Sequence, residues 1–260
     1  MSIPITNQEL EECLIDNTSV ITTITNYGYL MYTCNMLKSL APYGLDKKVL
    51  IVCIDKKSAI ILKNLGYHVC CMDDTTLSRF SSWNTKGYDK ICYLKLKVIY
   101  QILSLHKNVL LVDGDIVFKK NPINDLLSWQ LDHYDICIQN DSLHNDNLEN
   151  MCTGYMYIKS NENMTQRYDC VSDAGLQRYK TCAFDNNDQT YFNKYVKPFC
   201  TMHALPLENY PNGKFFYENT ALQESAVLVH FNWVIGHLKM AKMKEHKLWL
   251  LTPEEEEIIS

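Results

Sequence analysis

The chain has 260 residues, a formal net charge of −5, and 47% hydrophobic and 21% charged residues. These values match an average globular protein with a substantial core, and they exclude disordered, collagen-like and coiled-coil chains. There is no chain-wide basic field to attract nucleic acid and no apolar run of the roughly 18 residues that span a bilayer.

The opening MSIPITNQELEECLID carries acidic residues where a signal peptide would be basic and then apolar, so a cytoplasmic protein is expected. Eleven cysteines are an odd number, none is spaced as CxxC, and Cys53, Cys70, Cys92 and Cys137 lie inside apolar runs. They read as reduced, structural thiols.

Ser19 to Thr25 (SVITTIT) is β-branched and predicts a strand, followed by a turn at Asn26-Tyr27-Gly28 and a helix from about Leu30 to Leu40. Val49 to Ile54 is a continuous apolar run, the pattern of a strand covered on both faces. A helix near Lys57 to Leu65, a stop at Gly66 and a strand at His68 to Met72 follow. Tyr88 to Leu105 places Ile91, Leu94, Val98 and Ile102 on one helical stripe and leads into the buried strand Asn108 to Val112. Ile116 to Phe118, Ile136 to Gln139, Thr153 to Ile158 and Ala226 to His230 read as further strands, Val234 to Lys247 as a helix, and PEEEE as a solvated tail without function. Strands alternating with helices predict an α/β fold with a mostly parallel central sheet flanked by helices.

Asp113-Gly114-Asp115 comes directly after the strand NVLLV. Two carboxylates at i and i+2 offer hard oxygen ligands to a divalent cation that also takes phosphate oxygens, and the C-terminal end of a strand is where open α/β sheets bind ligands. Read alone, the same tripeptide is also ordinary turn chemistry.

Five segments in order carry a resemblance covering most of the chain. They are ITTITNYGY with CNMLKSL and VLIVCID, the run from Lys95-Leu96-Lys97 to NVLLVDGDIVFKKNP, CTGYMYIKS, DNNDQTYFN, and HFNWVIGHLKMAKMKEHKLW. Together they resemble the GT-A type nucleotide-diphospho-sugar transferases, most closely the retaining ones, in a single Rossmann-like domain. The nucleotide-binding half would span about residues 15–120 and the acceptor half about 121–250.

The resemblance implies that Asp113, Asp115 and His230 hold Mn²⁺ or Mg²⁺, with imidazole favouring manganese. It implies Thr22, Thr23 and Tyr27 at the base and ribose of a UDP-sugar, with Asp113 also near the ribose, and Lys95 and Lys97 near the diphosphate. Gly236 and Lys239 would bind the diphosphate, with Lys242 as the alternative lysine, and Gly154 would be small so that the sugar can approach the backbone. Asp188 and Gln189 would act beneath the anomeric carbon with Asp185 as helix cap. Without the resemblance, Asp185 and Asp188 read as an N-cap and its N3 partner. The acceptor would be a glycan or a protein.

DGDIV is also similar to the DxDx(T/V) signature of haloacid-dehalogenase-type phosphatases, with Asp113 as nucleophile. That signature follows a first strand, whereas more than a hundred residues precede it here, the strands at Ser19–Thr25 and Val49–Ile54 among them, and no later acidic pair completes its metal site. A catalytically silent GT-A-like binding module is the third reading, and the presence of Asp113, Asp115 and His230 favours catalysis over it. The Asn-, Lys- and Ile-rich composition suits an AT-rich genome such as that of a large DNA virus.

Overall fold

The computed structural model describes residues 5–82, 85–126, 133–182, 187–219, 221 and 224–260. The chain runs through helix α1 (Asn7–Glu12), strand β1 (Ser19–Thr25), α2 (Leu30–Leu40), β2 (Val49–Cys53), α3 (Lys56–Asn64), β3 (His68–Cys71), α4 (Lys86–Ser104), β4 (Asn108–Val112), β5 (Ile116–Phe118) and α5 (Ile123–Leu126). It continues through β6 (Ile136–Asn140), β7 (Met151–Ile158), α6 (Glu162–Tyr168), α7 (Asp173–Lys180), α8 (Asp188–Tyr191), β8 (Met202–Leu205), α9 (Gly213–Glu218), β9 (Leu228–His230), α10 (His237–Glu245) and α11 (Pro253–Ile259).

Seven strands form one sheet in the order β3-β2-β1-β4-β7-β6-β8, and β5 pairs with β9 in a separate ribbon. β1, β2, β3 and β4 run parallel, β7 is antiparallel to both β4 and β6, and β8 is parallel to β6. All five residues of β2 are buried, as expected for a strand covered on both faces. After β3 the chain returns through α4 to place β4 on the far side of β1. The carboxyl ends of β1 and β4 therefore flank a topological switch point, where such sheets open a crevice.

Two elements carry most of what positions the crevice. α4 is capped by Thr85, whose hydroxyl accepts from Tyr88 N, and its buried face runs through Cys92, Leu96, Ile99 and Ile102. Lys95 lies on that buried face, whereas Lys97 does not. The second element is the β5–β9 ribbon, which pairs Ile116 with His230 and lets Phe231 N donate to the Asp115 carbonyl at 3.0 Å. Backbone register alone thus brings a histidine beside an aspartate more than a hundred positions earlier.

All eleven cysteines are free. No helix among the described residues is long and apolar enough to cross a membrane. One reading needs correction: the acidic C-terminal run is a helix, α11, held by a Thr252–Glu255 capping box, the Lys38–Glu255 ion pair and a 2.6 Å bond from Trp249 Nε1 to Glu256. Its last apolar residue, Ile259, is buried in the core, so the run is an amphipathic element and not a solvated tail.

Candidate active site

The crevice is a cavity of about 680 Å³. Asp113 and Asp115 enter it from the end of β4, His230 from the end of β9, Lys95 from α4, Asp188 and Gln189 from α8, and Gly236 and Lys239 from the start of α10.

One ligand atom from each of Asp113, Asp115 and His230 lies within 4.8 Å of the other two. His230 Nε2 is 3.3 Å from Asp115 Oδ1, and the ammonium of Lys239 is paired with Asp115 Oδ2 while donating to Tyr29 Oη at 3.0 Å. Burial alone would raise the Asp115 carboxyl, but the Lys239 ammonium, joined by the His230 imidazole when that ring is protonated, outweighs it and holds the group well below the usual carboxylate range. For Asp113 burial dominates, and with the adjacent Asp115 charge it raises the carboxyl despite Lys95. Two carboxyl oxygens and an imidazole nitrogen in this spacing are a donor set that fits a divalent first-row ion.

Lys95 bridges the two halves of the cavity, with Nζ 2.7 Å from Asp113 Oδ1 and 2.8 Å from Asp188 Oδ2. Asp188 Oδ2 also accepts from Thr153 Oγ1 at 2.6 Å. Burial acts to raise Asp188, yet Lys95 and Thr153 prevail and keep it an anion below its ordinary pKa. For Lys95 burial acts to lower the pKa, and the two carboxylates more than reverse it. A buried cation shared between two carboxylates is expensive to break from either side.

The cavity's outer wall is organised by Asp141, just beyond β6. Its Oδ1 accepts from Asn232 Nδ2 at 3.0 Å and Trp233 Nε1 at 2.9 Å, and its Oδ2 from Gln189 Nε2 at 2.9 Å and Asn150 Nδ2 at 3.2 Å. Trp233 has φ +61° and is 58% exposed, a backbone conformation uncommon for an aromatic residue and held here by its indole bond to Asp141.

Asp113, Asp115, His230, Lys95, Asp188, Gln189, Gly154, Gly236 and Lys239 converge on this cavity. Thr22, Thr23, Tyr27 and Lys97 do not line it. Thr22 and Thr23 are buried within β1, and the Thr22 hydroxyl is committed to the Leu50 carbonyl at 3.0 Å. The crevice opens at the strand's end, so Ile24, Thr25, Asn26 and Tyr29 face it instead. Tyr27 turns its hydroxyl to the Ser260 carbonyl and its ring to Lys57, while Lys97 lies over Tyr93 on another side of α4.

Gly154 lines the cavity, and a Cβ there would come within 2.2 Å of His230 Cε1, so the missing side chain makes room for the imidazole. Gly236 has φ +55°, which glycine adopts at little cost, and it starts α10. Asp185 lies outside the described residues. The cap of α8 is Asn187, which accepts from Thr190 N at 2.6 Å, and this leaves Asp188 at the first helical position with its carboxylate turned to Lys95. Asp141 and Gln139 were missed, although both stand in or after a strand parallel to β4, where the strand-end rule that singled out DGD applies equally.

A family model for nucleotide-diphospho-sugar transferases matches residues 44–245. The chain is 23% identical over 292 aligned positions to UDP-galactose:fucoside alpha-3-galactosyltransferase of Dictyostelium discoideum, which covers 92% of this chain and 44% of that protein. It is 24% identical over 261 positions to UDP-D-xylose:L-fucose alpha-1,3-D-xylosyltransferase 3 of Arabidopsis thaliana, covering 90% of this chain and 67% of that one. The chain thus spans less than half the length of the Dictyostelium relative. Among solved structures, the apo WbbM bifunctional glycosyltransferase superposes with a TM-score of 0.61 at 15% identity, over 94% of this chain and 52% of that one.

Proposed function

The chain belongs to the nucleotide-diphospho-sugar transferase family and carries the GT-A fold, and on that premise we propose that it transfers a sugar from a UDP-sugar to an acceptor hydroxyl with retention. The observation that carries the reading is the convergence of Asp113, Asp115, His230 and Lys239 at the carboxyl end of β4. We read the whole chain as one catalytic domain, and its eleven free thiols support a reducing, cytoplasmic setting.

Asp113, Asp115 and His230 would hold the divalent ion, Mn²⁺ in preference to Mg²⁺ because one ligand is imidazole. When bound, that ion supplies positive charge to the diphosphate leaving group. Lys239 adds a second positive charge beside the same site, one turn into α10, where it can exchange Asp115 for a phosphate oxygen. Thr25, Asn26 and Tyr29 border the end of the cavity where a nucleoside would lie.

Asp188 is kept anionic by Lys95 and can stabilise positive charge developing on a sugar carbon. Gln189 is oriented by Asp141 and Asn150, which suits it to hold a sugar or acceptor hydroxyl. Trp233 offers an exposed ring on the outer wall against which an acceptor sugar can lie. Both curated relatives are named for a UDP-sugar donor and a fucose-containing acceptor, so UDP-galactose, UDP-xylose and fucosides are the first substrates to try.

The test is a screen of nucleotide sugars with Mn²⁺, with and without fucoside acceptors, that scores released UDP and the anomeric configuration of the product. Turnover of a UDP-sugar that stops on chelation is expected. No turnover of any nucleotide sugar, together with hydrolysis of phosphate esters, would replace this reading with the phosphatase one.

A further inference from the structure

Gln139 is wholly buried and sits behind His230, away from the carboxylates. Its Nε2 lies 3.0 Å from the Tyr210 carbonyl and 3.0 Å from the Pro211 carbonyl. Carbonyl oxygens only accept, so the amino end of the amide must point at them, and the orientation of the side chain is fixed. Its Oε1 then faces His230 Nδ1 at 2.8 Å. An amide oxygen also only accepts, so Nδ1 must carry the hydrogen.

The consequence falls on the other nitrogen. With Nδ1 protonated, Nε2 of the neutral ring presents its lone pair, and that atom is the one 3.3 Å from Asp115 Oδ1. Two acceptors at that distance repel unless a proton or a metal cation lies between them. The ring cannot turn away, because it packs on the bare Cα of Gly154, His230 N donates to the Pro211 carbonyl, and the next residue, Phe231, donates to the Asp115 carbonyl. The Cys152 thiol, 3.5 Å from Nδ1, is the weaker acceptor for the same hydrogen.

We propose that Gln139 is a positioning residue that fixes His230 as the Nδ1–H tautomer and so makes Nε2 the atom that binds a divalent cation. The proposal rests on the reading of Asp113, Asp115 and His230 as a metal site. Gln139 touches neither substrate nor metal and acts only through the imidazole. A carboxamide in this position does the work of the carbonyl or carboxylate that usually supports a metal-bound histidine.

Two variants isolate the acceptor. Gln139→Met keeps the length but removes the oxygen facing Nδ1, and Gln139→Glu keeps an acceptor there while losing the amino group. Long-range ¹H–¹⁵N spectra of the metal-free protein at mildly alkaline pH, with the His230 signals identified by their absence in His230→Ala, report the tautomer directly. Titration with Mn²⁺ alone, followed by paramagnetic resonance of the free ion, reports affinity.

Wild type should show the Nδ1–H pattern. Gln139→Met should lose it and bind Mn²⁺ about 10- to 100-fold more weakly. Gln139→Glu should keep both the pattern and the affinity. If Gln139→Met does not fold, Gln139→Asn replaces it, since the shorter amide cannot reach the carbonyls and the imidazole together. Retention of the wild-type tautomer in folded Gln139→Met, or equal loss of Mn²⁺ affinity in the Met and Glu variants, overturns the proposal. A wild-type protein with the Nδ1–H pattern but no Mn²⁺ affinity would overturn the metal-site reading, while the tautomer spectra still decide what Gln139 does to the ring.

Discussion

Lys239 and Lys95 occupy opposite sides of the DGD turn, and each neutralises carboxylates that would otherwise repel one another across a buried space. They differ in what they release. Lys239 shares Asp115 with the proposed ion, so ammonium and metal compete for one carboxylate. Lys239→Met should therefore bind Mn²⁺ alone more tightly than wild type, yet bind UDP with Mn²⁺ more weakly, because a phosphate partner is lost. Calorimetry of both titrations checks this, and a fall in both affinities would mean that Lys239 only holds the turn together. Asp188→Asn makes the complementary case: it removes negative charge near the sugar but no phosphate contact. Its turnover should fall by about 10²-fold, the typical loss of one electrostatic contributor, with UDP affinity near wild type. Wild-type turnover in Asp188→Asn would return the segment to a structural role.

The elements that carry DGD and His230 were legible because their physics is local. VLIVC and NVLLV are too apolar for any strand but a covered one, and the helical stripe of α4 ends at a left-handed His106 before β4. Lys95 and Lys97 were indistinguishable by type, although Lys95 shares the buried side of α4 with Cys92 and Ile99 and Lys97 does not. Thr22 and Thr23 lie off the crevice because a strand's period says which face a residue takes, while the crevice depends on where the strand ends relative to its neighbours. The sheet's far edge was also hidden: β8 is short and partly exposed, and it is anchored by tertiary contacts to Asp135. Asp135 accepts from Thr201 N and Thr201 Oγ1 at 2.9 Å each and from Asn161 Nδ2 at 2.7 Å, tying β6, β8 and the cap of α6 together.

Burial acts to raise Asp135, but these donors prevail and lower it from 3.8. A carboxyl with a depressed folded pKa contributes its full stability above the unfolded value, and the contribution drains away as pH falls through the folded one. Asp135→Asn should thus cost about 1 kcal/mol at neutral pH, the low end for charge-assisted bonds because the group is half-buried. The cost should begin to shrink near pH 3.8, the ordinary carboxylate value, and disappear only below the lowered pKa of the folded protein. Urea melts at several pH values test this, and a deficit that persists unchanged into acid would assign the effect to packing.

The site gathers groups from residues 95, 113–115, 188, 230 and 239, so a ligand bound there joins segments that the chain keeps far apart. Any ligand that binds only this arrangement stabilises it by about 2.7 kcal/mol at a free concentration 100 times its dissociation constant. For a chain of this size that corresponds to a rise of roughly 5–10 °C in melting temperature. The carboxylates and lysines make opposite demands on the separate ligands: Mn²⁺ must share Asp115 with Lys239, and a free diphosphate must compete with Asp113 and Asp115 for the lysines they already hold. UDP and Mn²⁺ together remove both conflicts, since the ion lies against the carboxylates and the phosphate draws the ammonium. Their combined shift should exceed the sum of the separate shifts and should collapse when a chelator removes the metal. Differential scanning calorimetry with each ligand alone and with both measures the difference. Additive shifts, or a UDP shift that survives chelation, would separate the nucleotide from the metal and place its diphosphate on the lysines alone.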